Sequence, residues 1–133
     1  MPPAFRADQV GSLLRPPKLL EARALYNRSQ LDREGLTKAE DEAILQALDM
    51  QRQAGMDVFT DGEYRRNEFR SVFADGVTGM EEIPTADRVD PFLGGVNTDT
   101  VIGGKVKRQR RLTAHESGFL KKHAGAPVKV TLP

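Results

Sequence analysis

Cysteine is absent from the chain. That one absence removes disulfides, thiolate zinc sites and cysteine nucleophiles from these residues together. No apolar run approaches the roughly 18 residues that a membrane-spanning helix needs. The stretch Met1-Pro2-Pro3-Ala4-Phe5-Arg6 lacks the apolar core of a secretory signal, so a cytoplasmic location is expected. An excess of one charge is missing too. With 20 basic and 19 acidic residues the net charge is +1, which points to neither nucleic acid nor a membrane as partner. There is no internal repeat, no low-complexity tract and no nucleotide-binding glycine loop. Gly94-Gly95 and Gly103-Gly104 have neither the spacing nor the lysine for one.

What is present suits one soluble globular domain: 133 residues, 38% hydrophobic and 29% charged. Phe5 to Ser12 alternates weakly and ends in Val10-Gly11-Ser12, a first strand running into a tight turn. Arg15-Pro16-Pro17 breaks the backbone, with Pro17 suited to the first turn of a helix. Leu19, Leu20, Ala22 and Leu25 then mark a short amphipathic helix from Lys18 to Tyr26. Thr37-Lys38-Ala39-Glu40 has the capping-box pattern and predicts the start of a second helix. Ala43, Ile44, Ala47, Leu48 and Gln51 form its apolar face, and Gly55 is its left-handed stop. Met56 to Thr60 follows as a strand.

Further on, Tyr64, Phe69, Val72 and Phe73 predict a helix over 63–73. Residues 76–104 are Gly-rich and Pro-punctuated, which suggests a hairpin or a long excursion rather than a core layer. Thr113 to Lys122 restores a helical pattern. Ala126 to Pro133 reads as a strand, and a chain that stops as a strand finishes looks cut rather than completed. Helix and strand alternate, so the expected class is α/β. Three strands with crossover helices do not by themselves separate a TIM barrel from a doubly wound sheet.

Chemistry concentrates in Asp57-Val58-Phe59-Thr60-Asp61-Gly62-Glu63-Tyr64-Arg65-Arg66-Asn67-Glu68. A β-prone segment that ends in clustered charge matches the carboxyl end of a buried parallel strand, where α/β proteins place their sites. Asp61 and Glu63, two apart around a glycine, can split their pKa values, bind a hard metal or hold a substrate ammonium. Gly11-Ser12 offers a backbone N–H and a hydroxyl suited to a carboxylate or phosphate. Lys105, Lys107, Arg108, Arg110 and Arg111 put five cations in seven residues. Without interleaved aromatics they read as a solvated strand edge rather than a polyanion site. His115 and His123 are eight apart, with Glu116 as the neighbouring acid, and fit no zinc template. No metal site is assigned within the chain.

Two blocks carry a resemblance. Phe5-Arg6-Ala7-Asp8-Gln9-Val10-Gly11-Ser12-Leu13-Leu14-Arg15-Pro16 is similar to the first strand and turn of the cobalamin-independent methionine synthase family, closest to its short, single-barrel members. Gly55 to Glu68 resembles the family's second-strand block, in which Gly-Glu-aromatic-x-Arg-Asn-acid recurs. Pro127 to Pro133 resembles a later strand ending in Leu-Pro. The resemblance touches nearly the whole chain, with Gly94 to Arg111 matched only loosely. It implies that residues 1–133 are the N-terminal segment, about the first third, of a TIM (β/α)8 barrel, without a second domain and with a hairpin-like excursion at roughly 76–111.

The activity the resemblance implies is methyl transfer from 5-methyltetrahydrofolate, as a polyglutamate, to the zinc-bound thiolate of homocysteine, giving methionine. By position, Gly11 and Ser12 would hold the amino acid's carboxylate and Glu63 its ammonium, with Asp61 as a further substrate contact. The family's zinc ligands lie in later strands, so zinc is implied for the full-length protein and not for these residues. The larger synthases carry His where this chain has Asp61, which leaves donor and acceptor open. A third of a barrel leaves strand edges and an apolar face exposed, so self-association or the missing C-terminal part is the expected partner. Two other readings stand beside this one: a small interaction module without catalysis, and a related zinc-thiolate alkyl transfer to another thiol.

Overall fold

A computed structural model describes residues 9–67, 71–89 and 96–132. The chain divides into two compact units, the first built from 1–67 with 113–132 and the second from 68–112. Among the described residues the helices are α1 (Pro17–Asn27), α2 (Arg33–Gln53), α3 (Ser71–Ala74) and α4 (Ala114–Ala124), and the strands are β1 (Val77–Val89) and β2 (Val96–Arg108).

In the first unit α1 starts as expected, with Pro17 in its first turn. The second helix corrects the sequence reading. It begins five residues earlier, at Arg33, because the Asp32 carboxylate accepts the Gly35 N–H at 2.7 Å. Thr37 is therefore interior, and its hydroxyl donates to the Arg33 carbonyl at 2.8 Å. The stop is as expected: Ala54 closes the helix and Gly55 has φ +71°. Helix α4 ends at Gly125 with φ +68°, and Lys121, Lys122 and His123 sit on the negative end of its dipole.

Three extended segments complete this unit. Ser12 bridges Gly62 in parallel, and Phe59 bridges Val128 in parallel, so the middle segment pairs on both sides. Phe59 donates its N–H to Pro127 O at 2.9 Å and accepts from Lys129 N at 2.8 Å, while Leu13 N donates to Gly62 O at 3.1 Å. The expected strands thus appear as short parallel bridges, with Phe5 to Asp8 and Pro133 outside the described residues. Parallel segments joined through helices place the chain in the α/β class. Its core is Leu19, Ala43, Ile44, Ala47, Leu48, Phe59, Tyr64, Leu120 and Ala124. Each buried Leu or Ile there contributes about 1.5–3 kcal/mol relative to exposure. The apolar face does not close over the first segment: Val10 is 85% exposed and Leu14 94%.

The helix expected over 63–73 does not form as one element. Gly62 has φ +70° and Glu63 has φ +59°, two successive left-handed residues that a right-handed helix cannot contain. Residues 63–65 make a turn and only Ser71–Ala74 is helical, with 68–70 outside the described residues.

The second unit is the expected hairpin. Strands β1 and β2 pair antiparallel from Val77↔Arg108 to Val89↔Val96, with irregularities between Thr78 and Met80 and between Pro84 and Val89. Strand β2 runs straight through Gly103-Gly104 rather than ending there. Lys105, Lys107, Arg108, Arg110 and Arg111 are exposed, the solvated edge that was expected, and Arg110 Nε donates to Asp75 O at 2.9 Å. No described helix is long and apolar enough to cross a membrane.

Candidate functional site

The parallel bridge between Ser12 and Gly62 sets the geometry of the site, because it lays Gly11-Ser12 beside Gly62-Glu63. Gly11 is buried and Ser12 exposed. A Cβ added to Gly11 would stand 3.4 Å from Glu63 Oε1 and 2.3 Å from Thr131 Cγ2. Only a residue without a side chain lets Thr131 of the third extended segment approach this closely, while Glu63 stands at ordinary contact distance. The Gly11 carbonyl accepts from the Thr60 hydroxyl at 2.9 Å, which ties the first two segments again one residue upstream of Asp61.

Glu63 and Asp61 are both buried, at 6% and 3% exposure. The Asp61 Oδ1 accepts the Glu63 N–H at 3.0 Å, a side-chain turn that holds the left-handed Glu63 in place. The Asp61 Oδ2 is buried and has no hydrogen-bond partner. Burial pushes the Asp61 carboxyl up from the usual carboxylate range, only partly offset by the Glu63 N–H, and nearby Glu116 pushes the same way. The structure therefore brings Gly11, Ser12, Asp61 and Glu63 into one cluster.

Three further residues join them. Arg66 Nε and Nη2 donate to both oxygens of Glu116 at 2.7 and 2.8 Å, a bidentate pair in which Arg66 is 3% and Glu116 0% exposed. Arg66 also donates to Thr131, from Nη2 to the carbonyl at 2.8 Å and from Nη1 to the hydroxyl at 3.1 Å. The Thr131 hydroxyl in turn donates to Glu63 Oε1. Hydrogen bonding to Glu116 holds the Arg66 guanidinium above even its ordinary high value. Arg66 lies inside the charged motif, but nothing local marked it as the anchor of the site. Glu116 stood out only as a neighbour of His115, and Thr131 had no signal.

The rest of the turn is held by the segment before α1 and by the helices. Arg15 Nη2 donates to the carbonyls of Glu63 and Arg66 at 3.2 and 2.8 Å. The Tyr64 hydroxyl donates to Leu14 O at 2.9 Å, and Arg23 from α1 donates to the Tyr64 carbonyl. Arg65 pairs with Asp41 and Glu40 on α2 and stacks on Phe119, its guanidinium 4.8 Å from the ring centre. The His123 ring lies 4.4 Å from that of Phe119. Among the described residues no three His, Asp or Glu side chains are grouped to hold a metal ion, and the chain has no cysteine. A zinc ion of the kind the resemblance implies does not fit these residues.

Residues 5–132 match the family described as the cobalamin-independent synthase catalytic domain. The chain belongs to this family. It is 35% identical over 135 residues to the YxjH protein of Bacillus subtilis, an alignment covering 97% of this chain and 35% of that one. It is 24% identical to a 5-methyltetrahydropteroyltriglutamate–homocysteine methyltransferase of Lactococcus lactis subsp. cremoris, covering 96% of this chain and 17% of the relative. Among solved structures it is similar to a B12-independent methionine synthase from Shewanella sp. W3-18-1 in complex with selenomethionine. The TM-score is 0.71 and the identity 27%, over 97% of this chain and 38% of that one. The chain thus spans between 17% and 38% of the length of these relatives, and its α/β fold is similar to that of the solved synthase.

Proposed function

We propose that these 133 residues form the N-terminal third of a single (β/α)8 barrel and supply half of the amino-acid pocket of a methionine-synthase-like methyltransferase. The observation that carries this reading is the Glu63 carboxylate lying over Gly11, at the ends of two adjacent parallel segments. A zwitterionic amino acid needs an anion-binding backbone and a carboxylate side by side, and this juxtaposition provides both. The Gly11-Ser12 backbone and the Ser12 hydroxyl take the ligand carboxylate, Glu63 takes the ammonium, and Asp61 lies beneath as a further contact. The selenomethionine held by the structural relative supports an amino-acid thioether or thiol as the ligand class.

The reaction is then methyl transfer from a methyl-folate to the sulfur of homocysteine, in the cytoplasm. The residues described here bind and orient the amino acid. Activation of the sulfur falls to groups these residues do not provide, so this polypeptide by itself is expected to bind without turning over. Titration calorimetry with L-homocysteine tests the reading. Measurable binding that falls at least about tenfold in Glu63→Gln, a loss of about 1.4 kcal/mol, is expected for an ammonium contact. Unchanged affinity removes Glu63 from the pocket, and methyl transfer by this chain alone would refute the assignment of sulfur activation elsewhere.

A further inference from the structure

Charge balance around Glu63 raises a question that the pocket alone does not answer. Among the described residues one guanidinium, that of Arg66, lies within ion-pair distance of the Glu63 carboxylate, at 3.5 Å from Nη1 to Oε1. Had it paired fully with Glu63, the carboxylate would be neutralised and of little use to a ligand cation. It does not, because its best-placed donors are already engaged. Nε and Nη2 form the bidentate pair with Glu116 at 2.7 and 2.8 Å, and the remaining short contacts go to Thr131. Arg15, the other nearby cation, spends its contacts on the backbone carbonyls of Glu63 and Arg66. Arg65 is committed to Glu40 and Asp41.

We propose that Glu116 is a positioning residue for Glu63: by holding the Arg66 guanidinium in a bidentate pair from α4, it keeps Arg66 from closing a hydrogen-bonded pair with Glu63 and leaves the Glu63 carboxylate open to a ligand ammonium. Thr131 completes the device. Its hydroxyl accepts from Arg66 and donates to Glu63 Oε1, so the hydrogen bond that fixes the carboxylate comes from a neutral donor. The cluster Asp61, Glu63, Glu116 and Arg66 holds three carboxyl groups for one guanidinium, all nine-tenths buried or more. A buried group of that composition favours an incoming cation. Its selectivity is therefore for ligands that carry an ammonium beside the carboxylate, and this rests on the amino-acid reading above.

The test compares L-homocysteine with 4-sulfanylbutanoate, the same thiol acid without its amine, by calorimetry on the full chain. Wild type is expected to prefer homocysteine. Glu116→Gln keeps the shape but frees the Arg66 charge for Glu63, and should cut homocysteine affinity about tenfold while leaving the des-amino acid unchanged. A merely structural loss would weaken both ligands alike. Because Glu116→Gln strands a buried cation, the double variant Arg66→Met/Glu116→Gln carries the test independently of its folding. With both charges gone, no freed guanidinium competes for Glu63 and the preference for homocysteine returns to within about threefold of wild type. A preference kept in Glu116→Gln, or lost in the double variant, overturns the role of Glu116 while the pocket stands. No preference in wild type overturns the pocket and this inference together.

Discussion

The side chain of Gln51 pairs with both backbone groups of Thr60: its Oε1 accepts the Thr60 N–H at 2.9 Å and its Nε2 donates to the Thr60 carbonyl at 2.9 Å. A helix residue thus acts as a ladder partner for the segment that delivers Asp61 and Glu63. The same amide accepts from Gln9 Nε2 at 2.7 Å, which extends the tie to the first segment. Gln51 is 3% exposed, so water does not replace it.

Gln51→Leu should therefore cost about 2–4 kcal/mol, since it strands a buried donor and a buried acceptor of Thr60. Urea unfolding measures the loss. A change below about 0.5 kcal/mol would show that the ladder mimicry contributes little.

Gly11→Ala should destabilise by about 1–3 kcal/mol, through the 2.3 Å approach of the new methyl to Thr131 Cγ2. Thr131→Ser removes that methyl and keeps the hydroxyl that donates to Glu63. The double variant is expected to recover much of the stability, and thermal unfolding of the four proteins in the cycle reads the coupling directly. Additive losses would place the strain elsewhere.

Asp61 imposes a pH dependence whose sign follows from burial. Its folded-state pKa is raised above the ordinary 3.8, so between that value and the raised one the folded chain binds more protons than the unfolded chain. Its contribution to stability declines as pH rises through this window. Asp61→Asn retains an acceptor for the Glu63 N–H and lacks the titration. The stability difference, Asn variant minus wild type, should grow as pH rises from about 4. Urea midpoints across pH check this, and a difference independent of pH would contradict it.

The two threonine and aspartate positions near the start of α2 discriminate directly between caps. Asp32→Ala should cost about 1 kcal/mol, whereas Thr37→Ala, on an exposed interior turn, should change stability by less than about 0.5 kcal/mol. Equal losses would return the cap to Thr37.

The capping box at Thr37 misled because its pattern is short and recurs inside helices. Asp32, five residues upstream, satisfies a free N–H group of the first turn just as well and adds a turn whose Leu36 is buried at 3% exposure. The helix read over 63–73 failed for a different reason. Its apolar spacing was sound, but Asp61 and Gly62 favour a side-chain turn that carries Glu63 into left-handed space. Periodicity does not register a backbone sign change at one residue.

Local chemistry by itself determined α1, the apolar face of α2, α4, the hairpin and the two short blocks that carry Gly11, Ser12, Asp61 and Glu63. Each is set by propensities, glycine stops and periodicities that act within a few residues. Only the tertiary structure decided that Glu63 rests on Gly11, that Thr131 holds it, and that Glu116 reaches Arg66 across 50 residues. Such pairings arise when buried charges must find partners in whatever space packing leaves them. No spacing along the chain encodes that requirement. The sequence names the carboxylate, and the fold arranges what surrounds its charge.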